Sequence, residues 1–507
     1  MSSAPNPAPT PGPFHFDRVG DLTALRRVLE SHGYVAAKVA ELAAVSGGSQ
    51  DPVTAMLDVA AILRRTADPT PLNTLMRLFV LARAVPEDAA RAALAPLDLE
   101  DLLTLGLLHR DAEGVRAEVA LIPFEDLYMA RDFWPHVSGR FGQPDYVLGI
   151  GPTTLAVANV TVRRQVGRAL DLGTGSGLHA LLAARHADHV IGTDINARAL
   201  NVAQFNMRLN GVSNVDLREG SLYEPVADCR FDLIVANPPF VISPSSEFQF
   251  RDSGLPGDTL SEQVVRGAPG RLNEGGFASV IFNWCHQTER DWVDRPREWL
   301  AGSGCDVWLL HSYTAEPLGY AAGWLRDSGL SYKSDYAQVL DEWLAYYDRL
   351  SIRRISSGSL VMRKRASGPN WFRAEPAPAE RPRGSCSSQI QRVFAAEDFL
   401  RTIANEPQLL DVRFILTPEH ELHHALRADD GHWVVKNSIL EQTQGYALTR
   451  QVDRLVTAIL TGCDGEHTAR ELATRAAADL DLDADRVLTS APAVFRKLFE
   501  TGFLTVA

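Results

Sequence analysis

The chain has 507 residues, 45% of them hydrophobic and 22% charged, with 63 acidic side chains against 50 basic ones and a formal net charge of −13. That length exceeds one compact core and suits about three domains at roughly 150 residues each. The acidic balance excludes a protein that coats nucleic acid through its overall charge and leaves room only for a local basic patch.

Residues 1–13, MSSAPNPAPTPGP, lack the basic start and apolar stretch of a secretory signal and read as a disordered Pro/Ala-rich tail. From 14 to 144 apolar positions recur at helical spacing, in Leu22, Leu25 and Leu29 and again in Leu72, Leu75, Met76, Leu78 and Phe79. Pro71 and Pro86 stand where helices start, and Gly106 ends one. A strand, the turn DAEG and the alternating Val115, Ala117, Val119 and Leu121 follow. Helices followed by a two-stranded wing predict a winged-helix-like domain.

Residues 145–366 alternate apolar strands with helical stretches. Strands are predicted at 169–173, 189–195, 231–240, 276–284, 306–312 and 357–364, and amphipathic helices at 178–187 and 197–209. Such alternation predicts an α/β domain with a mainly parallel sheet covered on both faces. Residues 367–390 have the Pro, Ser and Gly content of a linker. The remaining 391–507 close on a helix series in which LFETGFLTV (498–506) echoes LLTLGLL (102–108), so a second winged-helix-like domain is expected.

No apolar run reaches the roughly 18–20 residues of a membrane helix. The five cysteines form no C-x-x-C pair, which argues against a disulfide framework or a cysteine zinc site and fits a reducing, cytoplasmic setting.

The strongest local signal is ALDLGTGSGLHALLAARH (169–186). A strand ending at Asp171 and Leu172 runs into Gly173, Thr174, Gly175 and Gly177, and a helix starts near Leu178. A tight strand-to-helix turn that lets a ligand approach the backbone needs glycine, and the ligand then meets free helix N–H groups. Asp194, 17 residues beyond Gly177, ends the next strand, where a carboxylate accepts from both ribose hydroxyls. A nicotinamide dinucleotide site would carry its third glycine one place later, where Leu178 stands.

The strand FDLIVA then stops at Asn237-Pro238-Pro239-Phe240. Two prolines remove donors and stiffen the backbone, leaving exposed carbonyls. The Asn237 side-chain oxygen and the Pro238 carbonyl can bind both hydrogens of a planar amino group and aim its lone pair, with Phe240 stacking on its plane.

With DLGTGSG (171–177), TDIN (193–196), ANPPF (236–240) and FRDSGLPGDTLSEQVVRGAPGRLNEGG (250–276), the segment 145–366 resembles class I methyltransferases of the small-domain N-methyltransferase group. These act on release-factor glutamine, ribosomal-RNA guanine N2 or adenine N6. The resemblance implies a seven-stranded Rossmann-like sheet, S-adenosylmethionine as cofactor and an amino acceptor. By position, Asp171 and the Gly173–Gly177 loop would face the methionine part of the cofactor, Asp194 with Ile195 the ribose, and Ser221-Leu222 the adenine. Asn237, Pro238 and Phe240 would hold the acceptor, and Thr153 or Thr154 of YVLGIGPTT would touch cofactor. The group often carries Asp where this chain has Ser221, and release-factor enzymes carry Tyr where it has Phe240.

RLSIRRISSGSLVMRKR (349–365) holds six basic residues and no acidic one. It reads equally as a phosphate-facing rim or as charges flanking a strand. HELHH (420–424) matches H-E-x-x-H but follows Pro418 and also fits strand alternation, so no metal is expected. DLDLDADR lacks the glycine and glutamate of a calcium loop. The expected function is methylation of an exocyclic amino group of a nucleic-acid base, RNA before DNA. The alternatives are a protein glutamine amide as acceptor and a non-catalytic cofactor-binding protein.

Overall fold

Valine, isoleucine and leucine runs bounded by glycine or proline make fully buried strands, and the central sheet is built from them. In the computed structural model, which describes residues 12–17, 22–44, 57–139, 143–245, 249–327, 335–378 and 382–507, the sheet has eight strands. They are β1 (Val166–Leu172), β2 (Ala187–Asp194), β3 (Val215–Glu219), β4 (Phe231–Ala236), β5 (Leu272–His286), β6 (Cys305–Ala315), β7 (Arg354–Lys364) and β8 (Phe372–Pro376). Their spatial order is β8-β6-β7-β5-β4-β1-β2-β3, and only β7 runs against the others. Phe231, Phe282, Trp284, Leu309, Leu360 and Met362 pack one face into a single core.

The count exceeds the expected seven because Phe372–Pro376, inside the stretch expected to be a linker, pairs parallel to β6. Trp308 Nε1 donates to Glu375 at 2.7 Å across that pair. The helix Ser387–Leu400 also begins within that stretch. Pro-rich composition marks an edge strand as readily as a linker, because an edge leaves one row of N–H groups unused.

Two compact units result: Met1–Val157 with Arg164–Pro376, and Ala158–Arg163 with Ala377–Ala507. The N-terminal elements therefore belong to the unit of the sheet. Helix Pro71–Phe79, a bridge at Val85, helices Glu87–Leu94 and Leu99–Leu105, and the hairpin Leu108–Asp111/Gly114–Ala117 follow one another along the chain. A further hairpin, Ala120–Phe124/Leu127–Arg131, follows where the sequence showed only continued alternation.

Three asparagines of helix Ala197–Leu209 and its cap join these elements to the sheet domain. Asn206, fully buried, accepts from Ala130 N–H at 2.7 Å and donates to its carbonyl at 3.0 Å. Asn210 does the same for Tyr128 at 2.9 and 2.8 Å, and Asn201 for Phe14 at 3.0 and 2.9 Å. Phe14 stacks on Phe205 with centroids 4.1 Å apart. Most of the expected tail, residues 1–11, lies outside the described residues.

In the second unit, helix Arg454–Thr461, strand Asp464–Thr468, helices Ala469–Asp479 and Ala484–Glu500 and strand Leu504–Val506 enclose a core around Phe414, Phe495 and Phe503. Arg413–Leu416 is the middle strand of its sheet. The echo between the two ends has a structural counterpart: Gly106 (φ +83°) and Gly502 (φ +77°) each turn a helix into a strand. HELHH lies on the strand His420–Asp429, so its two outer histidines are not one helical turn apart.

Candidate cofactor and acceptor site

The parallel register sets the site. Leu172 pairs with Thr193 of β2 and with Ala236 of β4, so Gly173, Asp194 and Asn237 each follow a residue of this paired row, Asp194 as the last residue of β2. Neighbouring strands lie about 4.8 Å apart, which brings the three chain segments together at the point where the strand order reverses.

Gly173, Gly175 and Gly177 all have positive φ (74°, 54° and 88°). Gly173 and Thr174 N–H donate to the Thr193 carbonyl at 2.9 and 2.8 Å, which locks the turn to β2. On Gly173 and Gly175 a Cβ would meet open space, whereas on Gly177 it would lie 2.7 Å from Met207 Cε. The first two glycines thus leave a cradle open to a ligand and the third lets the following helix pack.

Asp171 is 1% exposed. Its Oδ2 accepts from Thr174 Oγ1 at 2.6 Å and from Ala180 N–H at 2.9 Å, and its Oδ1 has no partner among the described residues. Burial, with the neighbouring Asp194 charge adding to it, pushes this carboxyl up to about 7. Asp194 accepts from Gly175 N–H (2.8 Å) and Asn196 N–H (2.9 Å), one on each oxygen, and burial raises its pKa as well. With Ile195 N–H also directed at it, the carboxylate still has acceptor capacity for a further donor such as a ribose hydroxyl. Asn196 in turn caps the next helix by accepting from Arg198 and Ala199 N–H.

Ile195 is 56% exposed beside Asp194. Ser221 is exposed and Leu222, with φ +47°, half-buried, directly after β3. Thr153 is half-buried, while buried Thr154 accepts from Asn237 Nδ2 at 3.5 Å through Oγ1. That contact ties the loop before β1 to the one after β4 and turns Asn237 Oδ1 away from Thr154. Pro238 is buried and Pro239 half-buried. Phe240 is 8% exposed and meets Trp324 edge-on at 6.1 Å.

Sequence reasoning missed the groups that hold this loop. Ile242 N–H donates to Tyr320 Oη at 3.1 Å, and Tyr347 Oη donates to the Ile242 carbonyl at 2.8 Å. Tyr320 Oη also accepts from Asn283 Nδ2 at 2.7 Å. Arg251 and Asp252 form a buried bidentate pair at 2.8 and 2.9 Å, with Ser243 Oγ donating to the same carboxylate. Asn206 was missed too, although its Nδ2 donates to the Ser176 carbonyl of the glycine turn at 2.8 Å. Its signal was available: asparagine is a poor helix former, so Asn201, Asn206 and Asn210 in one helix point to tertiary hydrogen bonds.

The basic stretch 349–365 does not form one rim. Arg363 and Arg365 pair with the fully buried Asp306 at 2.6 and 3.0 Å, and Lys364 donates to the Ser303 carbonyl. Arg353 and Arg354 are exposed at the other end of β7, about 30 Å away for nine residues of strand.

Comparison with known proteins adds the family. Methyltransferase small domain describes residues 150–290. A release factor glutamine methyltransferase from Cereibacter sphaeroides is 33% identical over 211 residues, which is 39% of this chain and 73% of that protein. The chain belongs to the methyltransferase small-domain family. Its members are class I S-adenosylmethionine-dependent methyltransferases, so S-adenosylmethionine is the cofactor that the glycine turn, the open Asp171 Oδ1 and the Asp194 lone pairs suit. The release factor glutamine methyltransferase of Xylella fastidiosa strain Temecula1 is 36% identical over 129 residues, 23% of this chain and 47% of its own length. The chain spans about half the length of most curated relatives it matches. Among solved structures, the ribosomal protein L11 methylase of Lactobacillus delbrueckii shares 27% identity over 31% of this chain and 67% of its own, at a TM-score of 0.22. Domains of unknown function match residues 31–118 and 391–506. No described helix is long and apolar enough to cross a membrane.

Proposed function

We propose that this small-domain methyltransferase transfers a methyl group from S-adenosylmethionine to the side-chain amide nitrogen of a glutamine in a protein. The observation that carries this reading is the burial of Phe240. With 8% of its surface exposed and Trp324 against it, the ring offers no open face on which a flipped base could stack. A glutamine amide is slim and enters between Asn237 and the proline pair without needing such a face. The division of the basic stretch also removes one argument for a phosphate-bearing acceptor. The relatives named release factor glutamine methyltransferase, and the ribosomal protein uL3 glutamine methyltransferase of Bradyrhizobium diazoefficiens at 34% identity over 149 residues, support the same acceptor class.

The cofactor supplies an electrophilic methyl on sulfonium. Asn237 Oδ1 and the Pro238 carbonyl accept the two amide N–H bonds, which turns the nitrogen lone pair toward that methyl. Thr154 holds Asn237 in this orientation, and Tyr320 and Tyr347 hold the chain two residues beyond Phe240. With the cofactor held by the glycine turn and Asp194, the N–C bond would form as the S–C bond breaks, with S-adenosylhomocysteine as the leaving group, and the proton given up by nitrogen would pass to water. Orientation of this kind lowers a barrier by up to roughly 7–11 kcal/mol.

The test is incubation of the purified chain and labelled cofactor with bacterial release factor, ribosomal protein and ribosomal RNA, followed by mass spectrometry of peptides and nucleosides. One added methyl on a glutamine side chain is expected. Label only in an RNA base amino group would replace this acceptor with the nucleic-acid one.

A further inference from the structure

Arg131 closes the second N-terminal hairpin and is 2% exposed. Among the described residues no carboxylate forms an ion pair with it, and the Asp132 carboxylate acts on it only through its charge. The adjacent Asp132 is committed elsewhere: it binds Arg198 bidentately at 2.6 and 2.5 Å and accepts from Val147 N–H at 2.7 Å. Arg131 Nη1 donates to the Asp132 carbonyl at 2.9 Å, but its buried Nε has no acceptor. The guanidinium lies 4.4 Å from the Trp134 ring, and the buried indole Nε1 also lacks an acceptor. The Tyr146 phenol, kept neutral by burial, accepts from the guanidinium and donates to the Phe133 carbonyl at 3.3 Å. Arg131 Nε and Trp134 Nε1 are two buried donors with no acceptor among the described residues, beside a guanidinium that only the tyrosine, the indole ring and a backbone carbonyl touch, and such a place is short of an anion.

Its position follows from three contacts. Ala130, the preceding residue, is bound through Asn206 to the Ser176 carbonyl of the glycine turn. Gly149 lies directly against Arg131, where a Cβ would stand 1.9 Å from Arg131 Cδ. The segment from Gly149 continues to Thr154, which touches Asn237. Arg131 therefore stands behind the glycine turn and the segment leading to the acceptor loop. Asp171, at the start of the turn, has one carboxylate oxygen open among the described residues. An unpaired buried cation and an unpaired buried carboxylate about one turn match a zwitterionic amino acid, and the methionine end of the cofactor is one.

We infer that Arg131 and Trp134, contributed by the N-terminal module, bind the carboxylate of the cofactor's methionine moiety, with Asp171 facing its ammonium group. This rests on the cofactor assignment. It makes the N-terminal module part of the cofactor site, so the sheet domain alone is incomplete for binding.

The test is isothermal titration of the full chain with S-adenosylhomocysteine and with 5′-methylthioadenosine, which lacks the amino-acid end. Wild type is expected to bind the first more tightly. Arg131→Gln should weaken S-adenosylhomocysteine about 10- to 100-fold, the range for losing a charged hydrogen-bond pair, and leave 5′-methylthioadenosine within about twofold. Arg131→Lys, a milder change for folding, keeps the charge without the fork and should lie between. Trp134→Phe keeps the ring, deletes the donor, and should weaken S-adenosylhomocysteine alone. Equal weakening of both ligands would reduce Arg131 to a structural residue, and unchanged S-adenosylhomocysteine affinity in Arg131→Gln would remove it from the site. Failure of wild type to bind either ligand would instead strike the cofactor assignment.

Discussion

Asp171 should make cofactor binding depend on pH. Its carboxyl is raised from 3.8 to about 7, chiefly by burial, so at pH 8 it is ionised at a cost of roughly 4 kcal/mol, three units at about 1.36 kcal/mol each. A ligand ammonium opposite Oδ1 offsets part of that cost and binds the ionised form. Below pH 7 a proton must leave first, and the dissociation constant for S-adenosylhomocysteine should rise about twofold at pH 7 and about elevenfold at pH 6. Titration calorimetry from pH 5.5 to 8.5, in buffers of different ionisation enthalpy, should show close to one proton released at pH 6 and none at pH 8.5. 5′-Methylthioadenosine has no ammonium but still meets Asp194, so the ratio of the two ligands isolates Asp171. The stability sign is opposite to that of a salt-bridged Asp. Between the unfolded value near 4 and the folded value near 7 the native state binds more protons, so unliganded protein loses stability as pH rises through that window. Asp171→Asn should therefore stabilise unliganded protein at pH 8, by at most roughly 4 kcal/mol, while weakening S-adenosylhomocysteine. A ligand ratio that stays flat from pH 6 to 8, or keeps its slope in Asp171→Asn, would refute the argument.

Asn237→Ala should lower kcat about 100-fold or more, as loss of a transition-state acceptor does, with S-adenosylhomocysteine affinity changed less than about threefold; steady-state kinetics and calorimetry separate the two. Asn206→Ala leaves the Ala130 N–H and two carbonyls without their partner and should cost about 2–4 kcal/mol in urea unfolding, together with weaker S-adenosylhomocysteine binding. A loss below about 0.5 kcal/mol would show that this clamp is dispensable. Tyr320→Phe strips the acceptor from Ile242 N–H and Asn283 Nδ2 and should reduce kcat by about tenfold with little change in cofactor affinity, because it loosens only the acceptor loop.

The strands and the glycine turn were legible because their signals are local. Alternation and apolar runs located six of the eight central strands. Phe372–Pro376 escaped because five residues in a proline-rich stretch carry no periodicity of their own. The basic stretch misled in part, since side chains adjacent in sequence at its C-terminal end converge on Asp306, about 60 residues earlier. The glycine turn, Asp194 and Asn237-Pro238 lie at the ends of β1, β2 and β4, which are neighbours in the sheet, and each carries its own local motif.

Sequence alone determined most of the strands, the turn chemistry and the family, because these follow from backbone conformations that neighbouring residues impose on one another. Tertiary structure decided what surrounds the turn. Asn206 binds a strand 76 positions away, and Asp171 Oδ1 and Arg131 Nε are left without a partner among the described residues by the packing of the elements about them. Burial and pairing depend on which distant segments meet, and no local pattern carries that information.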